Sequence, residues 1–180
     1  MKDAIDSSLE HLRAWMPWAD HEPESVAQKT ERIVKFRDAF ETRQFLTYGI
    51  FPPGERRMIG NISINWRVSP DMADLGYWIR ASETGHGYAS EAAIGCMFAT
   101  FLVLGNPSVE IFCDPKNKRS AAIPARLGFS PMEHQPRKTA EGPDRMSQIW
   151  RMDRATFSTL HGSTAGFAVR DRQGRLLAPL

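Results

Sequence analysis

The stretch that decides the fold runs from Ala73 to Leu104 and reads ADLGYWIRASETGHGYASEAAIGCMFATFLVL. Residues Ala73 to Arg80 alternate between two faces, which predicts a strand. Gly85-His86-Gly87 follows as a tight turn, and nothing from Tyr88 to Leu104 interrupts an apolar helix. Glycines that lead into a helix let a ligand approach the backbone, and the first free N–H groups and the helix dipole attract an anion. The pattern therefore predicts a site for phosphate or pyrophosphate.

The turn and the strand before it also resemble a family motif. ADLGYWI followed by ETGHGYASEA is similar to motif A of the GNAT superfamily of N-acetyltransferases, especially of the RimJ/RimL-type protein acetyltransferases. In the family pattern Q/R-x-x-G-x-G/A, Ser82 and Thr84 stand where Gln or Arg and another basic residue are usual. The resemblance implies that backbone amides of the turn hold the pyrophosphate of acetyl-CoA, the cosubstrate. The cofactor-binding residues that it implies here are Trp78, Ile79, Arg80, Gly85, His86, Gly87, Tyr88 and Ala89.

A second resemblance to the same family lies at Asn117-Lys118-Arg119-Ser120, which opens a helix that Leu127-Gly128-Phe129 closes. N-x-x-S followed by LGF is a landmark of RimJ/RimL-type enzymes. The resemblance implies that Asn117 contacts the pantetheine region and that Ser120 is the general acid that protonates the departing thiolate. Helix capping explains the same residue types. Pro124 lies inside this helix and is expected to kink it or to leave it short and loose, which would misplace Ser120.

The first segment of the chain resembles the border of an acceptor pocket. SLEHLRAWMPWA, residues 8–19, is similar to the aromatic segment that lines the pocket for the acceptor amine in RimJ/RimL-type enzymes. Trp18, in the loop, is the acceptor-binding residue that this implies, and a core position for Trp15 and Trp18 is the alternative. In the family a strand and part of a helix precede this segment. The first strand is therefore expected to be missing here, which exposes a sheet edge.

The remaining pattern predicts an α/β (α+β) fold, with a mixed, mostly antiparallel sheet flanked by helices. A helix is expected at about Ser25 to Thr42. Strands are expected at 44–51, 57–67, 73–80, 108–113, 128–132 and 146–152. The side chains predicted to lie on the buried side of the helix are Val26, Ile33, Val34, Phe36 and Phe40. The GNAT domain is assigned to residues 1–157, and the rest, 158–180, is a C-terminal tail in which Asp171-Arg172-Gln173-Gly174 predicts a β-hairpin.

Composition argues against several other functions. Lys and Arg number 23 against 21 Asp and Glu, so a formal charge of +2 is too balanced to indicate nucleic-acid binding. Cys96 and Cys113 give no disulfide framework and are typical of a cytoplasmic protein. The histidines lie far apart without ligand spacing, so no metal site is predicted. The apolar run after Glu91 is shorter than the roughly 20 residues that a bilayer needs, so no membrane segment is predicted.

Acetyl transfer from a thioester to an amine needs a positioned donor, a neutral amine and a hydrogen-bond donor for the oxyanion. By the resemblance, a backbone N–H of Trp78 or Ile79 meets the oxyanion. Asp74 is the candidate base, acting through a water, because several family branches carry Glu at the matching place. Pairing of Asp74 with a neighbouring Arg is the alternative, and Glu110 is a weaker candidate. A Ser-His-Asp mechanism is not indicated, because the sequence has no G-x-S-x-G elbow.

These observations predict an N-acetyltransferase that moves acetyl from acetyl-CoA to a primary amine by direct transfer in a ternary complex. The RimJ/RimL resemblance favours a protein N-terminus as acceptor, and a small amine such as an antibiotic is an alternative. A non-catalytic acyl-CoA-binding or interaction module that decayed from such an enzyme is a second hypothesis. Nucleotide-phosphate binding is disfavoured because no G-K-[ST] follows the glycine turn. The sequence leaves a homodimer open.

Overall fold

The computed structural model describes residues 1–137, 144–162, 168–171 and 173–178. A six-stranded sheet forms the centre of the molecule. Its strands in chain order are β1 (Phe45–Ile50), β2 (Gly60–Ser69), β3 (Met72–Ile79), β4 (Ser108–Cys113), β5 (Ser130–Arg137) and β6 (Arg145–Asp153). They lie in the order β1-β2-β3-β4-β6-β5, which is the mixed, mostly antiparallel sheet that the sequence predicts.

A gap opens in the middle of this sheet between β3 and β4. These two strands are parallel, whereas every other neighbouring pair is antiparallel. Their pairing starts with Met72 opposite Ser108 and stops with Leu75 opposite Ile111. Beyond that point β3 stays paired only with β2, and β4 only with β6. The carboxyl ends of the two strands therefore separate and expose backbone groups at the gap.

Helices cover both faces of the sheet. They are α1 (Lys2–Asp6), α2 (Leu9–Arg13), α3 (Val26–Glu41), α4 (Tyr88–Phe98), α5 (Lys118–Arg126) and α6 (Arg154–His161). Short 3-10 turns lie at Pro17–His21 and Ala81–Glu83, and α4 runs into a π-helical turn at Ala99–Val103. None of the described helices is long and apolar enough to cross a membrane.

The main core lies between the sheet and α4. Ile64, Leu75 and Ile111 of the sheet and Met97 of α4 are at most 1% exposed. The ring of Phe157, from α6, packs against Phe98 with 4.9 Å between centroids and against Phe101 with 4.8 Å. Aromatic pairs in such tilted or edge arrangements add to the free energy gained by burial alone. This core fixes the direction in which α4 leaves the gap.

The prediction for the buried side of α3 was largely wrong. Its limits agree with the expected helix, and Ser25 and Gln28 form a capping box at its start. The buried residues of this helix are instead Lys29 and Ala39. Lys29 is only 4% exposed because the carboxylates of Glu22 and Glu24 surround its ammonium group. Helical periodicity cannot reveal such partners, because both glutamates precede the helix. The predicted residues found exposed are Val26, Ile33, Val34 and Phe40.

The C-terminal residues form the predicted hairpin. Strand β7 (Val169–Arg170) pairs antiparallel with β8 (Leu176–Ala178). Val169 packs against the main core. Residues 163–167 lie outside the described residues, so the predicted start of this strand at Gly166 is not tested.

Candidate functional site

Two cavities meet at the gap between β3 and β4. The larger has a volume of about 1010 Å³ and runs from the turn at Thr84, Gly85 and Gly87 to Asn117. The smaller, of about 390 Å³, extends along β2 past Asn61, Ser63 and Asn65. We call the residues that line both cavities the junction. They are Trp15, Met16, Tyr77, Trp78, Asn117 and Ser120.

The glycine turn presents free backbone donors to the larger cavity. Gly85 and Gly87 both have φ of 88°, a left-handed conformation that glycine adopts without strain. A Cβ at either position meets no atom within 4 Å, so the space beside the turn is open. Gly87 is the N-cap of α4, and no side-chain hydrogen bond caps this helix. The N–H groups that follow, at Tyr88 and Ala89, are therefore available to an anion.

One positive side chain reaches this end of the cavity from the other wall. The guanidinium Nη2 of Arg126 donates to Ser90 Oγ, in the first turn of α4, at 3.3 Å. Glu83 also lines the cavity, but Arg57 binds its carboxylate at 3.1 Å. The other lysines and arginines that line it are Lys116, Lys118 and Arg119. Sequence reasoning missed these residues because they come from α5 and the loop before it, far from the glycine motif.

The larger cavity therefore fits a ligand with a diphosphate at one end. Uncapped backbone donors and Arg126 lie at the turn, the other cations line the cavity, and the cavity continues from the turn to Asn117. Thr84, where the family usually has a basic residue, instead donates its hydroxyl to the carbonyl of Ala81 at 3.0 Å. Arg126 supplies the positive charge from across the groove.

Replacing Arg126 with glutamine is expected to raise the dissociation constant for CoA several-fold, because one charge-assisted contact to phosphate is lost. Isothermal titration calorimetry at two salt concentrations measures this change, and the loss should shrink as salt rises. Arg37→Gln is the matched control, since Arg37 lies on the exposed side of α3 beside Asp38. Equal CoA affinity for Arg126→Gln and Arg37→Gln contradicts the expectation.

At the junction, α5 holds Asn117 and Ser120 in fixed positions. Asn117 is the N-cap of the helix, and its Oδ1 accepts a hydrogen bond from the Ser120 N–H at 3.1 Å. Both residues still line both cavities, so capping and a functional role coexist. The Tyr77 hydroxyl, on β3, lies 3.4 Å from Ser120 Oγ and donates to the Ser120 carbonyl at 3.3 Å. Tyr77 thus ties the helix to the strand across the gap.

Pro124 explains why Tyr77 finds an acceptor there. The helix α5 continues through Pro124 to Arg126, so it is not as short as the sequence suggested. Proline has no N–H, and the carbonyl that loses its helical donor is the one four residues earlier, at Ser120. The Tyr77 hydroxyl bonds this same carbonyl. Burial raises the pKa of Tyr77, so its phenol stays protonated and acts as a donor.

Trp15 and Trp18 occupy different positions relative to the two cavities. Trp18 lines the smaller cavity, where its ring centroid lies 6.1 Å from that of Trp78. Trp15 lines both cavities rather than filling core. Ile79 lines the larger cavity next to Trp78. The structure therefore brings together the predicted acceptor residue Trp18 and the predicted oxyanion donors at the end of β3.

The structure does not bring Asp74 to either cavity. Asp74 is only 1% exposed, and its oxygens accept hydrogen bonds from Arg67 Nε at 3.2 Å, Arg137 Nη2 at 3.4 Å and Asn65 Nδ2 at 3.3 Å. A general base needs a free lone pair that reaches the amine or a water. Pairing with neighbouring arginines, the alternative weighed above, is what the geometry shows. Glu110 is similarly buried and bound by Arg151 at 2.6 Å.

Two of the predicted cofactor-binding residues have side chains that line neither cavity. Arg80 donates to Asp3 Oδ2 at 2.6 Å, and its backbone N–H bonds the carbonyl of Ile59. His86 is exposed, with its ring centroid 6.0 Å from that of Tyr88. Neither residue lines the larger or the smaller cavity. The backbone N–H of His86 still belongs to the glycine turn.

A carboxylate that sequence reasoning missed does line the smaller cavity. Asp114 follows β4 directly, is half-buried and shares this cavity with Ser120 and Tyr77. Its Oδ1 accepts a hydrogen bond from the Lys116 N–H at 2.8 Å. The only signal in the sequence was its place at the end of a strand. Among the described residues, no group of three or more His, Cys, Asp and Glu has the geometry to hold a metal ion.

Comparison with known proteins agrees with this geometry. The family model described as the acetyltransferase (GNAT) domain matches residues 3–130. The chain belongs to this family. As a GNAT acetyltransferase it transfers an acetyl group from acetyl-CoA. No curated protein sequence matches that of this GNAT chain.

Solved structures share the GNAT fold at low identity. RimJ from Mycobacterium smegmatis, in complex with CoA-disulfide, is 20% identical with a TM-score of 0.71, covering 86% of this chain and 76% of that one. The ribosomal-protein-S5-alanine acetyltransferase from Vibrio fischeri is 15% identical with a TM-score of 0.69, covering 85% of each. The microcin C7 self-immunity acetyltransferase MccE, in complex with acetyl-CoA and AMP, is 20% identical with a TM-score of 0.73, covering 84% of each.

Proposed function

We propose that this GNAT enzyme acetylates the N-terminal amine of a protein by direct transfer within a ternary complex. The observation that carries the proposal is that two cavities of different chemistry meet at one junction. A donor in one and an acceptor in the other are then held together, which turns a reaction between two bodies into one within a complex. No covalent acetyl-enzyme is needed for such an arrangement.

Each part of the donor has proposed partners. Backbone N–H groups from Gly85 to Ala89, with Arg126, hold the diphosphate. Asn117 holds the pantetheine region, and a backbone N–H of Trp78 or Ile79 stabilises the oxyanion; one such donor is typically worth about 3–4 kcal/mol. His86 contributes through its backbone N–H alone. Arg80 is left out because its side chain donates to Asp3 and its backbone N–H donates to Ile59.

Three proton transfers complete the reaction. Ser120 gives its hydroxyl proton to the departing thiolate and takes back the second proton of the attacking nitrogen, which leaves the neutral amide. The phenol of Tyr77, 3.4 Å away, orients this hydroxyl. Asp114 replaces Asp74 as the proposed base, because it lines the cavity that receives the amine. It accepts the proton of the incoming ammonium directly or through a water. Trp18 packs against the acceptor beside the reacting nitrogen.

The choice of acceptor rests on the family likeness. Structural neighbours include enzymes named for their action on ribosomal proteins, which favours a protein N-terminus. A small amine is the second candidate, because the smaller cavity of about 390 Å³ falls within the roughly 300–1,000 Å³ usual for small-molecule sites. The free thiols of Cys96 and Cys113 support a cytoplasmic setting, where such thiols stay reduced. Residues 1–157 would be the catalytic domain and 158–180 a tail, although α6 crosses that boundary.

Release of CoA thiol from acetyl-CoA tests the function. We expect turnover with peptides that have a free N-terminus, product masses increased by one acetyl group, and initial-rate lines that intersect when both substrates are varied. Peptides blocked at the N-terminus but carrying lysine are the control. Parallel lines in the same initial-rate plots, together with an enzyme that becomes labelled by radioactive acetyl-CoA alone, would contradict direct transfer. Stabilisation by acetyl-CoA without CoA release on any amine would favour the non-catalytic binding module.

A further inference from the structure

Three arginines lie close together on one wall of the smaller cavity, among the residues that the structure describes. Arg67 from β2, Arg137 from β5 and Arg145 from β6 line this wall, and we call them the arginine cluster. Asp74 lies beneath the wall and pairs with both Arg67 and Arg137. Arg145 lies opposite Arg137 in the β5–β6 register. One buried carboxylate therefore serves two guanidinium groups, with a third beside them.

Asp74 fixes these side chains without using all of their donors. Arg67 binds the carboxylate through both Nε and Nη2, yet half of its side chain (50%) is exposed. Arg137 makes one hydrogen bond to Asp74 at 3.4 Å, and its guanidinium lies 3.1 Å from the centroid of the Phe112 ring. A guanidinium group carries several N–H donors in a rigid fork that suits carboxylate and phosphate. Both arginines therefore keep donors for a ligand in the cavity.

The electrostatics of Arg137 agree with an anion at this place. Burial lowers its pKa, and the nearby charge of Arg67 lowers it further, while Asp74 acts in the opposite direction. Two like charges held close together at a partly buried wall are unfavourable. A bound anion offsets this repulsion and receives charge-assisted hydrogen bonds from both groups.

We infer that the arginine cluster is an anion subsite and that the preferred amine acceptor carries a carboxylate or a phosphate. This inference rests on the proposed function. It also predicts the spacing within the acceptor. The Nη2 atom of Arg67 lies 3.6 Å from the place that a Cβ would take on Gly76, two residues before Trp78 on β3, which corresponds to about 7 Å at the usual rise per residue. Arg137 donates to Asp74, four residues before Trp78, which corresponds to about 13 Å.

A separation of about 7–13 Å between amine and anion excludes the carboxylate of a free α-amino acid, which lies too close to its own nitrogen. In an N-terminal peptide, the side chain of an acidic second or third residue reaches this distance. A phosphate on a small amine with a chain of similar length offers the same chemistry. The two sources share one subsite, and separate probes distinguish them.

Calorimetry with the full chain in the presence of CoA tests the subsite. The peptide arm compares the amide-capped peptides Ala-Ala-Glu-Ala and Ala-Ala-Gln-Ala. The small-molecule arm compares an aminohexyl phosphate with aminohexanol. We expect the anionic member of at least one pair to bind roughly ten- to a hundredfold more tightly, the range for hydrogen bonds to charged groups. Tighter binding of the anionic member in the peptide arm alone identifies a protein with an acidic N-terminal segment as the acceptor. Tighter binding in the small-molecule arm alone identifies a small phosphorylated amine as the acceptor.

Variants assign this preference to the cluster. Arg67→Gln and Arg145→Gln are expected to bring the affinity ratio toward one. Arg151→Gln is the matched control, because Arg151 also pairs with a buried carboxylate, Glu110, but lines neither cavity. Equal affinity within both pairs overturns the inference, as does a ratio that survives both cluster variants. Release of CoA from acetyl-CoA is measured separately with the same acceptors. Tight binding of the anionic acceptor without CoA release refutes the proposed acetyl transfer and leaves the subsite standing. CoA release at equal rates from charged and neutral acceptors, with equal affinities, refutes the subsite and leaves the acetyl transfer standing.

Discussion

Replacing Ser120 with alanine is expected to lower kcat about a hundredfold, at the low end of the usual contribution of a positioned general acid. The Ser120 hydroxyl lies at the junction, where donor and acceptor cavities meet, and loses its proton only when the thiolate departs. The KM for acetyl-CoA should change little, because Asn117 still caps α5 through the Ser120 backbone N–H. Steady-state kinetics with both substrates varied measures the two parameters, with exposed Ser130→Ala as the control.

The role of Tyr77 is tested against the same variant. Tyr77→Phe removes the hydroxyl that bonds the Ser120 carbonyl and lies 3.4 Å from its Oγ. If the two hydroxyls act as a unit, the double variant should lose little more kcat than Ser120→Ala alone. Pro124→Ala offers the Ser120 carbonyl a helical donor again and should lower kcat several-fold through competition with Tyr77. Independent, additive losses in the double variant would refute the coupling, and unchanged kcat in Ser120→Ala would refute the acid.

The second large effect is expected at the glycine turn. Gly87→Ala should raise the dissociation constant for CoA at least tenfold, as measured by calorimetry. Gly87 has φ of 88° at the uncapped start of α4, and a left-handed alanine costs about 1–2 kcal/mol. Relaxation of that strain turns the following N–H groups away from the diphosphate, and the new methyl group stands in the groove.

Gly105→Ala is the matched control for this substitution. Gly105 also has a positive φ, of 78°, and a Cβ there likewise meets no atom within 4 Å. Both variants should therefore lose similar free energy of unfolding, measured by thermal or urea denaturation. Only Gly87→Ala should lose CoA affinity, since Gly105 lines neither described cavity. Unchanged CoA binding in Gly87→Ala would remove the glycine turn from the cofactor site.

Features that depend on a few consecutive residues could be predicted from the sequence. The strand Ser108–Cys113 was predicted with its observed limits, because its apolar alternation is bounded by Pro107 and Asp114-Pro115. The helical spacing of apolar residues predicts one N-terminal helix from Ala4 to Trp15. The structure has two, α1 and α2, because the chain breaks at Ser8, whose hydroxyl accepts a hydrogen bond from the Ala81 N–H at 3.0 Å. That partner lies more than seventy residues away. Local propensity alone cannot anticipate such a break.

The sequence by itself determined the glycine turn, the uncapped helix after it, the Asn117–Ser120 landmark and hence the family. These features depend on backbone conformation and local hydrogen bonding, which a few neighbouring residues specify. Only the tertiary structure decided where charge and proton donors meet. It placed Arg126 beside α4, brought Tyr77 to the Ser120 carbonyl, and enclosed Asp74 between arginines from separate strands. Such partners are selected by sheet register and by helix packing across the gap, so their distances in space bear no relation to their spacing along the chain.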